Sequence, residues 1–400
     1  MTFRPHVGAT VDERFRLHEQ LNSGGFATVW HATDLETGTA VALKCGREAT
    51  HDRETVRTQF RKELRCFHRL ESPLMPGGLV QFVDGAVEDS PDDGETVYVA
   101  TELIEGESLD SLASPGMDAL VSVGKPLCAA FEYIHECGIS YLDLKPNNVI
   151  RRRRGPPALV DFNAAVLDDQ APLFHQDGFK PPELTPPDGD GSAGPASDVY
   201  SLGALLIYLL TGEPRPATAV EGGGPLDPVE LGGDPDAPVI DVLRTATARD
   251  PGERFRDASA FYAALAPHIG VDDTVAHLTA PGDDRRLSVR SGATVGRWTT
   301  DGPVPTVVLA DPGEHLSAEH VILKRRQGWW YLEDWSLNGT FVDTDEGLAY
   351  IVSRDGLTRQ REAGRTPAHP NPADAIRLAD GDRIAPVALD YGAEMTFFVE

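Results

Sequence analysis

The sequence predicts an α+β chain in two unlike parts, a mixed region over residues 15–268 and an all-β sandwich over residues 285–400. Three observations carry this prediction. A glycine-rich hairpin, Leu21 to Trp30, leads into a strand and then into Thr55 to Leu70, where Val56, Phe60, Leu64 and Phe67 recur at helical spacing. An apolar run, Val199 to Leu210, has the length of a buried helix and is too short to span a bilayer. Beyond residue 284, short β-like runs recur and helical periodicity is hard to find.

Four hundred residues exceed what one core usually holds. The formal charge of -27 is spread along the chain, because residues 1–270 already carry 23 basic against 42 acidic side chains. Such a field repels nucleic acid. An acidic excess of this size suits a protein kept soluble at high ionic strength by hydrated carboxylates, with an ordinary acidic protein as the other reading. The first fifteen residues have no apolar signal core, and Cys45, Cys66, Cys128 and Cys137 fall in no metal-ligand spacing. The expectation is a cytoplasmic protein with reduced thiols and no membrane partner.

In order, Phe15-Arg16-Leu17 opens an alternation that runs into Asn22-Ser23-Gly24-Gly25-Phe26-Ala27-Thr28-Val29, a hairpin whose backbone N–H groups can approach phosphates. Val41-Ala42-Leu43-Lys44 is a strand, and Glu63 lies beside the apolar face of the helix that follows. Leu79 to Val83 and Thr96 to Thr101 read as strands around an acidic hairpin loop, Glu88 to Glu95. Gly124 to Cys137 is helical and ends at Gly138, a fair C-cap. Then come Asp143-Leu144-Lys145-Pro146-Asn147-Asn148 and a short strand ending in Asp161-Phe162-Asn163. Moving phosphate from a nucleotide to a hydroxyl needs a carboxylate to orient the acceptor and oxygen ligands for magnesium, and Asp143, Asn148 and Asp161 are the right types. Arg151 to Arg154, before Gly155-Pro156-Pro157, reads as a solvated hairpin tip in preference to a substrate dock. Glu213 to Pro238 reads as a long surface loop.

These pieces, in this order, resemble the protein kinases. The resemblance implies a bilobal protein-kinase-like fold with an N-lobe over 15–104 and a C-lobe over 105–268, after a lead of residues 1–14. It implies ATP and Mg2+ as cofactors, with Mn2+ as an alternative metal. Asn22, Gly24, Gly25, Val29 and Ala42 would surround the nucleotide, and Lys44 would contact its phosphates, paired with Glu63 in preference to Glu54. Thr101 would guard the pocket, and Glu102 C=O and Ile104 N–H would meet the base. Asp143 would accept the substrate hydroxyl proton, Lys145 would steady the γ-phosphate, and Asn148 with Asp161 would hold the metal. Glu183, Arg254 and Asp198 match structural positions of the family. The chain departs from the pattern at the glycines, at Tyr141-Leu142 in place of His-Arg, and at Asn163 in place of Gly. Asn tolerates positive φ, which such a turn requires. Residues 164–182 contain no Ser, Thr or Tyr, so this loop cannot be switched on by its own phosphorylation and is expected to be held by packing through Phe174 and Phe179.

Residues 269–284 break the helical pattern and are the expected linker. Beyond it, Gly296-Arg297, Ser317-Ala318-Glu319-His320, Ser336-Leu337-Asn338-Gly339-Thr340 and Leu378 to Ile384 resemble, in order, the landmarks of the forkhead-associated (FHA) domain. That family implies an all-β FHA sandwich that binds phosphothreonine peptides, with Arg297 as a cation for phosphate, Ser317 as a hydroxyl donor and Asn338 holding the peptide backbone. His320 reads as a packed structural residue. Thr344 to Ile376 reads as a flexible insertion. The function expected is an ATP-dependent serine/threonine protein kinase, independent of activation-loop phosphorylation. Its partners would be protein substrates and a phosphothreonine peptide or its own linker phosphorylated at Thr274, with Thr358 and Thr366 as further candidates. The alternative is a pseudokinase scaffold that binds phosphopeptides without phosphoryl transfer; a small-molecule kinase fits the attached reader less well.

Overall fold

The computed structural model describes residues 5–46, 53–88, 96–111, 114–167, 179–184, 193–213, 226–272, 274–300, 302–311, 313–364 and 373–399. Phe15–Ser23, Ala27–Asp34, Ala40–Gly46, Thr96–Glu102 and Phe82–Glu88 pair antiparallel into a sheet, with Thr10–Val11 on its outer edge. Alternation drives one set of side chains, among them Phe15, Leu17, Trp30, Leu43 and Tyr98, into a core of their own. The other face is covered by helix α1 (Arg53–Leu70), whose buried stripe includes Phe60, Leu64 and Phe67. The expected strand at Leu79 begins later, at Phe82, because Leu79 bridges instead to Leu159.

The second lobe packs helix α2 (Met117–Glu136), α3 (Pro195–Thr211), α4 (Ile240–Ala246) and α5 (Ala258–Leu265) around one apolar core. Helix α3 starts on a proline and ends at Gly212 with φ 81°, a left-handed stop. Among the described residues no helix is long and apolar enough to cross a membrane.

The C-terminal region is two sheets. One runs in the order Leu287–Val289, Ala276–Thr279, Met395–Val399, Arg383–Pro386, Thr340–Thr344, Gly347–Ile351. The other runs Ala375–Leu378, Trp329–Asp334, Val321–Arg326, Ala293–Gly296, Val307–Leu309 and then Leu74–Pro76, a strand supplied by the N-terminal region. Two expectations are corrected here. Ala276–Thr279, placed in the linker, is an inner strand, because Ala276 and Leu278 are apolar, fully buried and paired on both sides. The insertion expected over Thr344 to Ile376 is largely ordered: Gly347–Ile351 closes a hairpin, and helix α6 (Arg354–Glu362) follows, capped by the Ser353 hydroxyl on Gly356 N. Thr366 lies outside the described residues.

The two regions are joined through side chains as well as through this shared sheet. Arg290 grips Glu132 of α2 with two bonds of 2.8 and 2.9 Å and lies 3.7 Å over the Tyr262 ring. Arg285 caps the end of α1 by donating to the carbonyls of Arg69 and Glu71. Gly77 N donates to Thr306 O, and a Cβ at Gly77 would lie 1.9 Å from Pro305 O, so only glycine lets the chains meet there.

Candidate active site

Lys44 sits on the strand Ala40–Gly46 on the same face as Ala42, with its Cα opposite Val29 on one side and Val99 on the other. Its Nζ reaches Glu63 Oε1 and Asp161 Oδ1, both at 2.8 Å. Glu54, the competitor, pairs with Arg61 instead. Burial pushes Glu63 above the usual carboxylate range, and Lys44 opposes that rise. Burial alone would lower Lys44, but Asp161 and Glu63 hold it above its ordinary value. The lysine is therefore a fixed positive charge between two lobes.

Asp161 follows the strand Ala158–Leu159 and adopts φ 63°. The left-handed residue of this turn is thus the aspartate. Asn163, expected to supply positive φ, does not, and is tied in by donating N–H to Asp161 Oδ1 at 3.3 Å and by accepting from Gln59 at its carbonyl. Asp143 is buried, and its Oδ2 accepts from Lys145 Nζ at 2.8 Å and Asn148 Nδ2 at 2.9 Å. The same Asn148 amide donates to Asp143 O. The loop is braced from below by Asp198, whose two oxygens accept the N–H groups of Tyr141 and Leu142 at 2.7 and 2.8 Å. Glu183 and Arg254, both buried, form a two-bond pair of 2.7 and 2.8 Å.

The contacts that Tyr141 and Leu142 make in place of the His-Arg pair carry no local signal in the sequence. Tyr141 closes an aromatic column: Phe82 stacks on Phe67 at 5.2 Å, Phe67 meets Phe162 at 5.1 Å, Phe162 meets Tyr141 at 5.2 Å and Tyr141 meets Phe131 at 5.8 Å. The Tyr141 hydroxyl also donates to Val160 O. Leu142, at φ 62°, is buried against Val166 and Leu184, one on each side of the loop 167–183. Phe179 packs on Tyr208 at 6.0 Å, whereas Phe174 lies outside the described residues.

The hairpin over the site turns at Gly24, whose N–H donates to Ala27 O at 2.8 Å, and Asn22 pairs with Val29 across it. Gly25 lies in the same turn. Farther along the same sheet Thr101 pairs with Ala42, and Ile104 is half-buried. The Glu102 side chain is buried and is held by Arg152. The arginine run is thereby corrected from a purely solvated tip. Arg151 and Arg153 are exposed and face Glu107 and Glu105, but the Arg152 side chain is only 6% exposed and is paired internally.

In the C-terminal region Arg297, Ser317 and Asn338 come to one end of the sandwich. Arg297 ends the strand Ala293–Gly296, its N–H donating to Ser317 O and its Nε to Leu316 O at 2.8 Å. Ser317 Oγ accepts from Leu337 N at 3.4 Å, and Asn338 Nδ2 donates to His315 O at 2.8 Å. His320 is buried behind them, accepting Ser317 N–H at Nδ1 and facing Gly339 O through Nε2. Gly296 must be glycine, because a Cβ there would lie 2.1 Å from Ala318 O.

Comparison with known proteins agrees with both halves. The protein kinase domain family matches residues 15–221, and the FHA domain family matches residues 293–353. The serine/threonine-protein kinase PknL of Mycobacterium tuberculosis is 31% identical over 283 residues, covering 65% of this chain and 67% of that protein. Serine/threonine-protein kinase PknA of the same organism is 30% identical over 284 residues, covering 66% and 63%. A crystal structure of the M. tuberculosis PknI kinase domain aligns with a TM-score of 0.49 at 21% identity, over 66% of this chain and all of that one. The chain belongs to the protein kinase family, as a serine/threonine protein kinase with a C-terminal FHA domain.

Proposed function

We propose that this chain transfers the γ-phosphoryl group of ATP to Ser or Thr hydroxyls of protein substrates without phosphorylation of its own activation loop, and that its FHA domain recruits a phosphothreonine partner. The observation that carries the catalytic reading is the ion triad of Lys44, Glu63 and Asp161 beside the Asp143–Lys145–Asn148 cluster. The acceptor oxygen bonds to the γ-phosphorus as the bond to the ADP oxygen breaks, and the acceptor proton passes to Asp143. Lys145 offsets charge on the transferring group, and Lys44 meets the inner phosphates. Asp161 and Asn148 offer a carboxylate and an amide oxygen, the hard donors Mg2+ takes, with Mn2+ as an alternative. The metal supplies charge neutralisation to the phosphates when bound. The adenine would meet Glu102 C=O and Ile104 N–H, with Thr101 at the back of the pocket and Asn22, Gly24, Gly25, Val29 and Ala42 around it.

Loop independence rests on Leu142. Where a phosphate-binding arginine would stand, an apolar side chain packs both flanks of the loop together through Val166 and Leu184. The FHA reading rests on Arg297, Ser317 and Asn338 at one end of the sandwich. Of the described self-recognition candidates, Thr358 is exposed but helical, its hydroxyl donating to Arg354 O. Thr274 lies half-buried in an irregular segment, which suits an extended peptide better.

The test is radiolabelled phosphate transfer from Mg-ATP by the wild type and Asp143→Ala, in low and molar salt. Transfer by the wild type, lost in the variant and requiring no phosphate within residues 164–182, is expected. Binding of phosphopeptide with no transfer at any salt concentration would establish a scaffold instead.

A further inference from the structure

Glu102 ends the strand that enters the hinge, and its carboxylate is buried. A carboxylate offers about four acceptor sites, and here four donors fill them. Oε1 accepts from Arg152 Nη2 and from Gln81 N at 3.0 Å; Oε2 accepts from Arg152 Nη1 at 2.7 Å and from Trp298 Nε1 at 2.8 Å. Three of these donors belong to the kinase domain. The fourth, Trp298, lies in the C-terminal domain, immediately after Arg297.

The backbone around Trp298 is pinned to the same hinge-side surface. Val304 N donates to Arg154 O, and Gly155, at φ 115°, is placed where a Cβ would lie 2.7 Å from Val304 O. The shared sheet through Leu74–Pro76 fixes the other side of this contact. The loop is therefore held in position independently of the indole bond, so the bond can act on Glu102 and does not merely tether the loop. Glu102 N also donates to Gln81 O at 2.9 Å, so a shift of the Glu102 side chain pulls on the backbone whose carbonyl faces the nucleotide in the reading above.

We propose that Trp298 is a positioning residue of the kinase reaction, supplied by the FHA domain, which sets the hinge for adenine by completing the shell around Glu102. The proposal rests on the hinge assignment made for ATP. Removing the N–H leaves a buried carboxylate one donor short, and the side chain and its backbone relax toward a new partner. Adenine contacts are lost while the Asp143 cluster is untouched, so nucleotide affinity falls and turnover does not.

The experiment uses the full chain and Trp298→Phe, which keeps an aromatic ring and removes the donor, with Trp335→Phe, an exposed tryptophan elsewhere in the same domain, as control. Phosphate transfer is measured against ATP concentration, and Mg-ATP affinity is measured separately by calorimetry. Expected is a rise of about three- to tenfold in the ATP KM and Kd for Trp298→Phe, with kcat within twofold and the control unchanged. Equal ATP affinity in wild type and Trp298→Phe would overturn the positioning role and leave the kinase reading standing. A fall in kcat with no change in affinity, or equal changes in both tryptophan variants, would also overturn it. A wild type that binds no nucleotide would overturn the hinge assignment and this proposal together. A wild type that binds nucleotide but transfers nothing would refute the kinase reading and with it a role for Trp298 in that reaction, while the calorimetric comparison would still decide whether Trp298 sets the hinge for the nucleotide.

Discussion

Arg290→Leu is expected to cost about 3–5 kcal/mol of stability, the range for breaking a buried ion pair by removing one partner. The side chains of Arg290 and Glu132 are only 6% and 7% exposed, and two parallel bonds join them. The substitution strands the Glu132 carboxylate inside the seam between the domains and removes a guanidinium seated over Tyr262. Replacing both residues by leucine removes the stranded charge as well, so the double variant should return to within about 1 kcal/mol of the wild type, because a buried pair and an apolar pair of similar volume are often near equal. The assay is a double-mutant cycle by urea unfolding, followed through tryptophan fluorescence in low and in molar salt. Since the pair is shielded from solvent, its coupling should change little with salt. The wild type should unfold in one transition, because the shared sheet and this pair make the domains one cooperative unit. Two separate transitions, or a single-variant cost below about 1 kcal/mol, would mean that this pair does not hold the domains together as one unit.

Other outcomes follow from burial. The pKa of His320 is lowered by burial, more than Asp334, the Gly339 carbonyl and Asp311 raise it. The folded state thus resists protonation: stability is complete above the ordinary 6.5 and declines as pH falls below it, while the unfolded chain takes up the proton. His320→Gln should flatten that decline in an unfolding series between pH 7 and 5. Cys45 and Cys66 are buried thiols pushed up to about 12, and Cys128 and Cys137 are buried and raised too. A thiol reagent at pH 8 should label none of the four until the chain is unfolded, and fast labelling of the native protein would contradict their burial.

The cluster of Asp143, Lys145 and Asn148 was legible through its resemblance to the kinase motif, and a short loop brings the three side chains together. The pairing of Lys44 with Glu63 was legible through the resemblance to the protein kinases, which favours Glu63 over Glu54. Arg152 was not: one side chain in a run of four is selected by Glu102, fifty positions away in the chain, and no local pattern marks it. Ala276–Thr279 was missed because only the distant strand Met395–Val399 makes it an inner strand. Nothing local marks Gly77 and Gly155, whose added Cβ atoms would lie closest to Pro305 and Val304 of the other domain. Domain docking is written in such residues, but it can be read only once both surfaces are known.

Leu142 likewise depends on residues distant in the chain. A leucine at φ 62° is held against its backbone preference, a cost of about 1–2 kcal/mol, so the surroundings must over-determine it. They do so through two N–H bonds into Asp198 and an apolar contact with Val166 and Leu184. Leu142→Ala keeps the backbone bonds and removes the contact that ties the flanks of the loop, at a cost of about 2–4 kcal/mol if the site does not collapse. The kinase reading then requires a particular split. Protein-substrate turnover should fall, because the loop that shapes the acceptor site loosens, while ATP affinity holds, because Lys44, Glu63 and the hinge are untouched. Phosphatase treatment of the wild type should leave its rate unchanged. A phosphatase-sensitive wild type, or a Leu142→Ala enzyme with unaltered turnover, would mean that something other than this packing orders the loop.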